Sequence, residues 1–95
     1  MGSEPKRETA PLWRRRHRRT VELLDRGDQA CQHAEADALA IVARTLIPEV
    51  PRALRFELVA VAELAAIDPV AAGERWRPLS DQLHAHAQQE ESLAE

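Results

Sequence analysis

An all-α fold is the class that this sequence predicts, from its composition, the spacing of its apolar residues and the positions of its prolines. Hydrophobic residues make up 44% of the 95 positions. Alanine, leucine, glutamate and arginine, which are good helix formers, are abundant. Residues that favour strands are few, and Trp13, Phe56 and Trp76 are the only aromatic ones. A chain of this length forms one domain with one modest core.

The first predicted helix runs from Leu12 to Ile47, where Pro48 and Pro51 end it. At about 100° per residue, its apolar residues fall on one stripe and its polar residues on the opposite stripe. We interpret this segment as one continuous helix with a weak point, or a bend, at Gly27. The apolar stripe consists of Val21, Leu24, Cys31, Ala38, Leu39, Val42 and Leu46.

A second helix is predicted from Val50 or Pro51 to Ile67. Between Phe56 and Ile67 the only polar residues are two glutamates, so the helix lacks a broad polar face and should be buried on several sides. We expect self-association or a partner to cover part of it. The residues predicted for that interface are Leu54, Phe56, Leu58, Val59, Val61 and Leu64.

A third helix should begin with Asp68 as its N-cap and Pro69 in its first turn. Pro78 interrupts the pattern, so we expect a kink or two helices that meet near Arg77. The predicted buried face consists of Ala72, Trp76, Leu79, Leu83 and Ala87.

These elements predict a three-helix bundle, or a four-helix bundle if Pro78 divides the last helix, completed by dimerisation. Dimerisation is expected because a helix from Thr20 to Ile47 would span about 40 Å, which is long for so small a monomer. We expect residues 1–11 to be a disordered tail and residues 12–91 to be one helical domain with a basic N-terminal arm at 12–19. Residues 92–95 should form a frayed acidic tail.

Charge is distributed unevenly along the chain, whose net charge is −3. Residues 1–19 contain seven of the 13 basic and two of the 16 acidic residues, a net +5, and the remainder carries −8. Such asymmetry indicates an interaction segment. Three roles remain open for it: binding a polyanion, clamping onto acidic groups of its own or a neighbouring chain, or simple solvation. The predicted polyanion-binding residues are Trp13, Arg14, Arg15, Arg16, His17, Arg18 and Arg19.

The arginines of this segment lie in every direction around a helix, so we expect a disordered arm that becomes ordered on binding rather than one recognition face. Arginine forms bidentate hydrogen bonds with phosphate, and Trp13 could stack on an unpaired base.

Signatures of catalysis are lacking, and we predict no enzyme, no cofactor and no metal site. His33 and Asp37 are four residues apart but lie on the polar stripe, and His84 and His86 diverge on a helix. Cys31 is expected to be a small core residue. Glu35 falls on the apolar stripe, which leaves two interpretations. It is a surface residue, because the helical phase changes or because it lies at the edge of the bundle. Alternatively, it is a buried carboxylate paired with an arginine.

A single cysteine, a polar N-terminus and the short apolar runs favour a cytoplasmic protein that has no membrane partner. The leading hypothesis is a non-enzymatic helical adaptor or regulator, homo-oligomeric, whose basic arm contacts nucleic acid or, slightly less favoured, an acidic protein. The alternative is a protein–protein interaction module, such as a small inhibitor or assembly factor, that binds through its apolar helix. A weaker alternative is a metal or small-molecule site across a dimer.

Overall fold

The computed structural model describes residues 12–94, and within this range every element is helical. These described residues form four α-helices, which are α1 (Leu12–Gln32), α2 (Ala36–Leu46), α3 (Arg52–Ile67) and α4 (Pro69–Ala94). A short 3-10 turn, Ile47–Glu49, follows α2. The all-α prediction is therefore confirmed, with four helices rather than three. The tail predicted at residues 1–11 lies outside the described residues.

The predicted continuous helix from Leu12 to Ile47 is wrong, because the chain leaves the helix after Gln32 and re-enters it at Ala36. Ala34 adopts a left-handed conformation with φ of 55°. The Glu35 N–H donates to the Ala30 carbonyl at 2.8 Å, and the Ala34 N–H donates to the Cys31 carbonyl at 3.3 Å. These two bonds are the pattern of a Schellman motif, in which glycine usually takes the left-handed position. Alanine in that position hides the helix end from sequence analysis.

Gly27, where a bend was expected, lies inside α1 and is covered by the Trp76 ring of α4. An added Cβ atom at Gly27 would fall 2.7 Å or less from three atoms of that ring. Trp76 is fully buried. Glycine is therefore required at this position by the close approach of α4 to the backbone of α1, and no break of the helix follows from it.

The predicted beginning of α4 is confirmed, and α3 begins at Arg52, one residue after the predicted Pro51. The Asp68 carboxylate accepts a hydrogen bond from the Ala71 N–H at 3.2 Å, and Pro69 is the first helical residue of α4. An aspartate N-cap followed by proline satisfies a free N–H and fixes the helical φ angle.

Pro78 neither ends nor divides α4, so the predicted alternative of two helices is wrong, since the helix continues from Pro69 to Ala94 with this proline inside it. Pro78 itself is exposed, while Trp76 and Ser80 on either side of it are buried. Packing of these neighbours against α1 keeps the helix together across the missing hydrogen bond.

Each helix packs against its neighbours in chain order, and α1 packs against α4, which closes a four-helix bundle. Short connections make successive helices antiparallel. The expected buried face of α4 is confirmed, and Leu24, Leu46, Leu58 and Val61 are among the core residues from the other helices. The molecule is elongated, with extents of 56 × 22 × 20 Å. None of the helices in the described range is long and apolar enough to cross a membrane.

Replacing Gly27 with alanine should destabilise the protein even though alanine is the better helix former. The new methyl group would overlap the Trp76 ring, and such overpacking costs about 1–3 kcal/mol. Gly73→Ala is the matched control, because its Cβ would lie 3.8 Å from the Cys31 sulfur, an ordinary contact. We expect this control to raise the free energy of unfolding by up to about 1 kcal/mol in urea denaturation. Stabilisation by both variants would contradict the packing of Trp76 on α1.

Ala34→Gly should raise the free energy of unfolding by about 0.5–1 kcal/mol, because glycine adopts the left-handed conformation without the penalty that a Cβ atom imposes. Ala85→Gly, at an exposed position inside α4, should lower it by about 1 kcal/mol. Thermal or urea unfolding of the two variants measures the difference. Equal losses in both would show that Ala34 is not left-handed.

Candidate functional site

The candidate functional site is the arginine-rich start of α1, residues 13–19, which we call the basic segment. It is helical and continuous with α1, rather than the disordered arm that its charge pattern suggested. All five arginines of the segment are exposed, whereas His17 is largely buried. On the solvent side of α1, Arg15, Arg18 and Arg19 lie within about 100° of one another around the helix axis. The basic segment therefore presents three exposed arginines on one side of α1.

The inner side of the basic segment contacts the end of α4. The His17 ring nitrogens lie 3.8 Å from a Glu90 carboxylate oxygen and 3.6 Å from one of Glu91. The Trp13 ring meets the His17 ring edge-on, with centroids 6.1 Å apart, and the Arg14 guanidinium lies 5.4 Å from the centre of the Trp13 ring. These contacts hold the first turns of α1 against the bundle.

The charges at these two helix ends oppose their own helix dipoles. Helix α1 has no acidic residue in its first turn, and α4 has no basic residue in its last turn. Basic groups at a helix N-terminus and acidic groups at a C-terminus each destabilise their helix. Antiparallel packing of α1 and α4 brings the two ends together, so each end supplies the charge that the other lacks.

Two open grooves of about 450 and 390 Å³ flank the basic segment, and Trp13 and His17 line both. Glu22 and Glu91 line the first groove, and Glu49 and Glu90 line the second. Arg14 and Arg18 also line the first groove, and Arg16 lines the second, so basic and acidic side chains lie together in both.

The residues predicted for self-association separate into two groups on α3. Leu58 and Val61 are completely buried in the core of their own chain, so neither is available to a partner. Leu54 and Leu64 are half-buried, whereas Phe56 is 83% exposed and Val59 is 39% exposed. Helix α3 is thus enclosed on one side only, and its opposite side presents apolar residues to solvent.

Asp28 forms a polar centre between α1 and α4 that sequence analysis missed. One carboxylate oxygen accepts hydrogen bonds from the Trp76 indole N–H and the Ser80 hydroxyl, each at 2.8 Å. The other oxygen lies 3.3 Å from Nε2 of His84. Trp76, Ser80 and His84 follow one another at intervals of four along α4, so they share one face. This spacing is the feature of the sequence from which the polar centre could have been predicted.

The order of these groups differs from that of a hydrolase triad. In a triad the histidine lies between the serine and the carboxylate and takes the serine proton. Here Asp28 lies between Ser80 and His84, and the Ser80 hydroxyl donates to the carboxylate while being only 2% exposed. The serine is therefore held as a structural donor.

Asp25, Asp28 and His84 offer three ligand atoms that lie within 4.8 Å of one another, a spacing compatible with a divalent cation. Asp28 already has a structural function, because its oxygens take part in the contacts to Trp76, Ser80 and His84. Asp25 also lies 3.8 Å from Nε2 of His84, so both carboxylates contact the same ring nitrogen.

The structure also shows the surroundings of the other residues that the sequence singled out as candidates. The turn at Ala34 separates exposed His33 from exposed Asp37, so they do not share a helix face. Glu35 is exposed, which removes the expectation of a buried ion pair. Cys31 is half-buried; burial raises the pKa of its thiol, Asp28 raises that pKa further, and Arg77 opposes them. A thiol with a raised pKa stays protonated at neutral pH and is a poor nucleophile.

Comparison with known proteins finds no matching family model, no similar curated protein and no solved structure that matches this chain. The class that the described fold defines is a four-helix bundle with a basic helix end and an exposed apolar helix face.

Asp28→Ala should lower the free energy of unfolding by about 2–4 kcal/mol, because it leaves two buried donors, the Trp76 indole and the Ser80 hydroxyl, without an acceptor. Asp25→Ala, one turn earlier and exposed, should change it by less than about 0.5 kcal/mol. Urea denaturation followed by tryptophan fluorescence measures both. Equal stability of the two variants would contradict the role assigned to Asp28.

Proposed function

We propose that this chain is a non-enzymatic helical adaptor or regulatory protein that contacts a polyanionic partner through the solvent side of the basic segment. The observation that supports this most is the exposure of Arg15, Arg18 and Arg19 on one side of a helix that the bundle holds in place. A preformed basic face needs little ordering on binding, so less of the interaction free energy is lost.

Nucleic acid is the polyanion we favour over an acidic protein surface. Arginines at intervals of three and four along a helix can reach successive phosphates, and each contact releases counterions. The acidic remainder of the chain repels a polyanion elsewhere, which confines contact to the end of the bundle. Recognition is expected to be independent of sequence, because phosphate contacts carry no base information.

Self-association is part of the same proposal. Two copies would bring two basic segments to one polyanion, and linked contacts raise the overall affinity without new interactions in either copy. The exposed apolar side of α3 supports an interaction surface there. The second candidate function, a protein–protein interaction module such as an inhibitor or assembly factor, uses this same side of α3 for a different protein.

Neutralising Arg15, Arg18 and Arg19 together to glutamine should weaken binding to duplex DNA at least about tenfold at low salt. The dependence of log affinity on log salt should become less steep by roughly three, because three phosphate contacts are lost. The loss should be similar on DNA of unrelated sequence. Fluorescence anisotropy titrations at several salt concentrations measure both quantities.

The matched control is the triple change of Arg44, Arg75 and Arg77 to glutamine, which removes the same charge from exposed positions on α2 and α4. We expect this control to keep most of the affinity and salt dependence. If the two triple variants lose affinity equally, net charge rather than the basic segment determines binding. Wild-type protein that binds neither DNA nor heparin would refute the proposal.

A further inference from the structure

Four residues on the solvent side of α3 form a symmetrical pattern, in which a charged residue stands at each end and two apolar residues lie between them. Arg52, Phe56, Val59 and Glu63 are separated by intervals of four, three and four, and we call them the α3 stripe. At about 100° per residue they fall within about 60° of one another, opposite buried Val61. All four are exposed, and Phe56 is the most so of the two apolar ones. The stripe thus has a positive end, an apolar centre and a negative end.

The two charges of the stripe have no ion-pair partner among the described residues. Arg52 and Glu63 are eleven residues apart, about 16 Å along the axis, so they cannot pair with each other within one helix. A second α3 placed parallel would bring like charges to the same height. An antiparallel α3 would place Arg52 beside the partner's Glu63, and Phe56 beside the partner's Val59.

We propose that the α3 stripe binds the α3 stripe of a second copy of this chain, antiparallel, about a two-fold axis that passes between Phe56 and Val59. Such an interface is isologous, so each ion pair and each apolar contact occurs twice. This inference rests on the self-association included in the proposed function, and names its surface, partner orientation and register. Buried Leu58 and Val61 take no part in it.

The interface is small. Two helices that touch along about 16 Å bury less than the standard interface area, which places the contact among weak and transient interactions. We therefore expect a dissociation constant on the order of 10–100 μM. The opposite charges select the antiparallel orientation, and burial of Phe56 supplies most of the affinity.

Charge exchange tests the register. In Arg52→Glu each ion pair becomes two glutamates, and in Glu63→Arg it becomes two arginines, so each variant should dimerise roughly tenfold more weakly. The double variant Arg52→Glu/Glu63→Arg restores opposite charges and should dimerise as the wild type does. An equimolar mixture of the two single variants should form a heterodimer, since every pair in it is again opposite in charge. Sedimentation equilibrium from about 5 μM to 1 mM measures all four samples.

Two controls separate the interface from the fold and from net charge. Arg44→Glu makes the same charge change at an exposed position on α2 and should leave dimerisation unchanged. Phe56→Ser should weaken the dimer at least about tenfold while circular dichroism shows the same helix content, because this side chain lies outside the core of its own chain.

Wild-type protein that is monomeric up to 1 mM would overturn the proposal. Single variants that are weakened without rescue in the double variant or the mixture would also overturn it. Polyanion binding is measured separately, so a monomer that still binds DNA refutes self-association alone, and a dimer that does not bind DNA refutes polyanion binding alone.

Discussion

The contact of Trp76 with Gly27 and Asp28 is the interaction on which the rest of the bundle depends. The ring of the largest buried side chain lies on the backbone of α1 where no Cβ atom intervenes. The indole N–H donates a hydrogen bond to Asp28, which follows Gly27 in the chain. Adjacent residues of α1 therefore contact both the apolar face and the polar atom of the indole. Together they fix both the distance and the register between the first and last helices.

This register determines where the two surfaces of the proposed function lie. With residue 28 opposite residues 76–84, the antiparallel geometry places the start of α1 beside the end of α4, where His17 meets Glu90 and Glu91. The basic segment is thereby held as a helix instead of a free arm. Closing α1 against α4 also leaves α3 covered from one side only, which exposes Phe56. The positions of both surfaces therefore result from the same packing of α4 against α1.

Local signals in the sequence predict some elements well. The beginnings of α3 and α4 depend on Pro51, Asp68 and Pro69, whose effects act within one turn of chain. The end of α1 was missed because alanine occupies a position where glycine is the usual signal. Pro78 does not divide α4, because tertiary packing of its neighbours overrides its local preference. The hydrogen bonds at Asp28 join residues that are 48 and 52 positions apart in the chain, and local patterns do not reveal contacts over such separations. The charge of the basic segment is evident from the sequence, but its helical order depends on that same packing.

Hydrogen exchange of the two indole N–H groups tests the central claim most directly, because the chain contains one buried and one exposed tryptophan. Two-dimensional NMR follows both signals in one sample, and Trp13→Phe assigns them. We expect the Trp76 indole to exchange only when the bundle opens, with a protection that corresponds to the free energy of global unfolding. Trp13, at 40% exposure, should exchange orders of magnitude faster. Equal, rapid exchange of both indoles would contradict the contact between α1 and α4 on which the account rests.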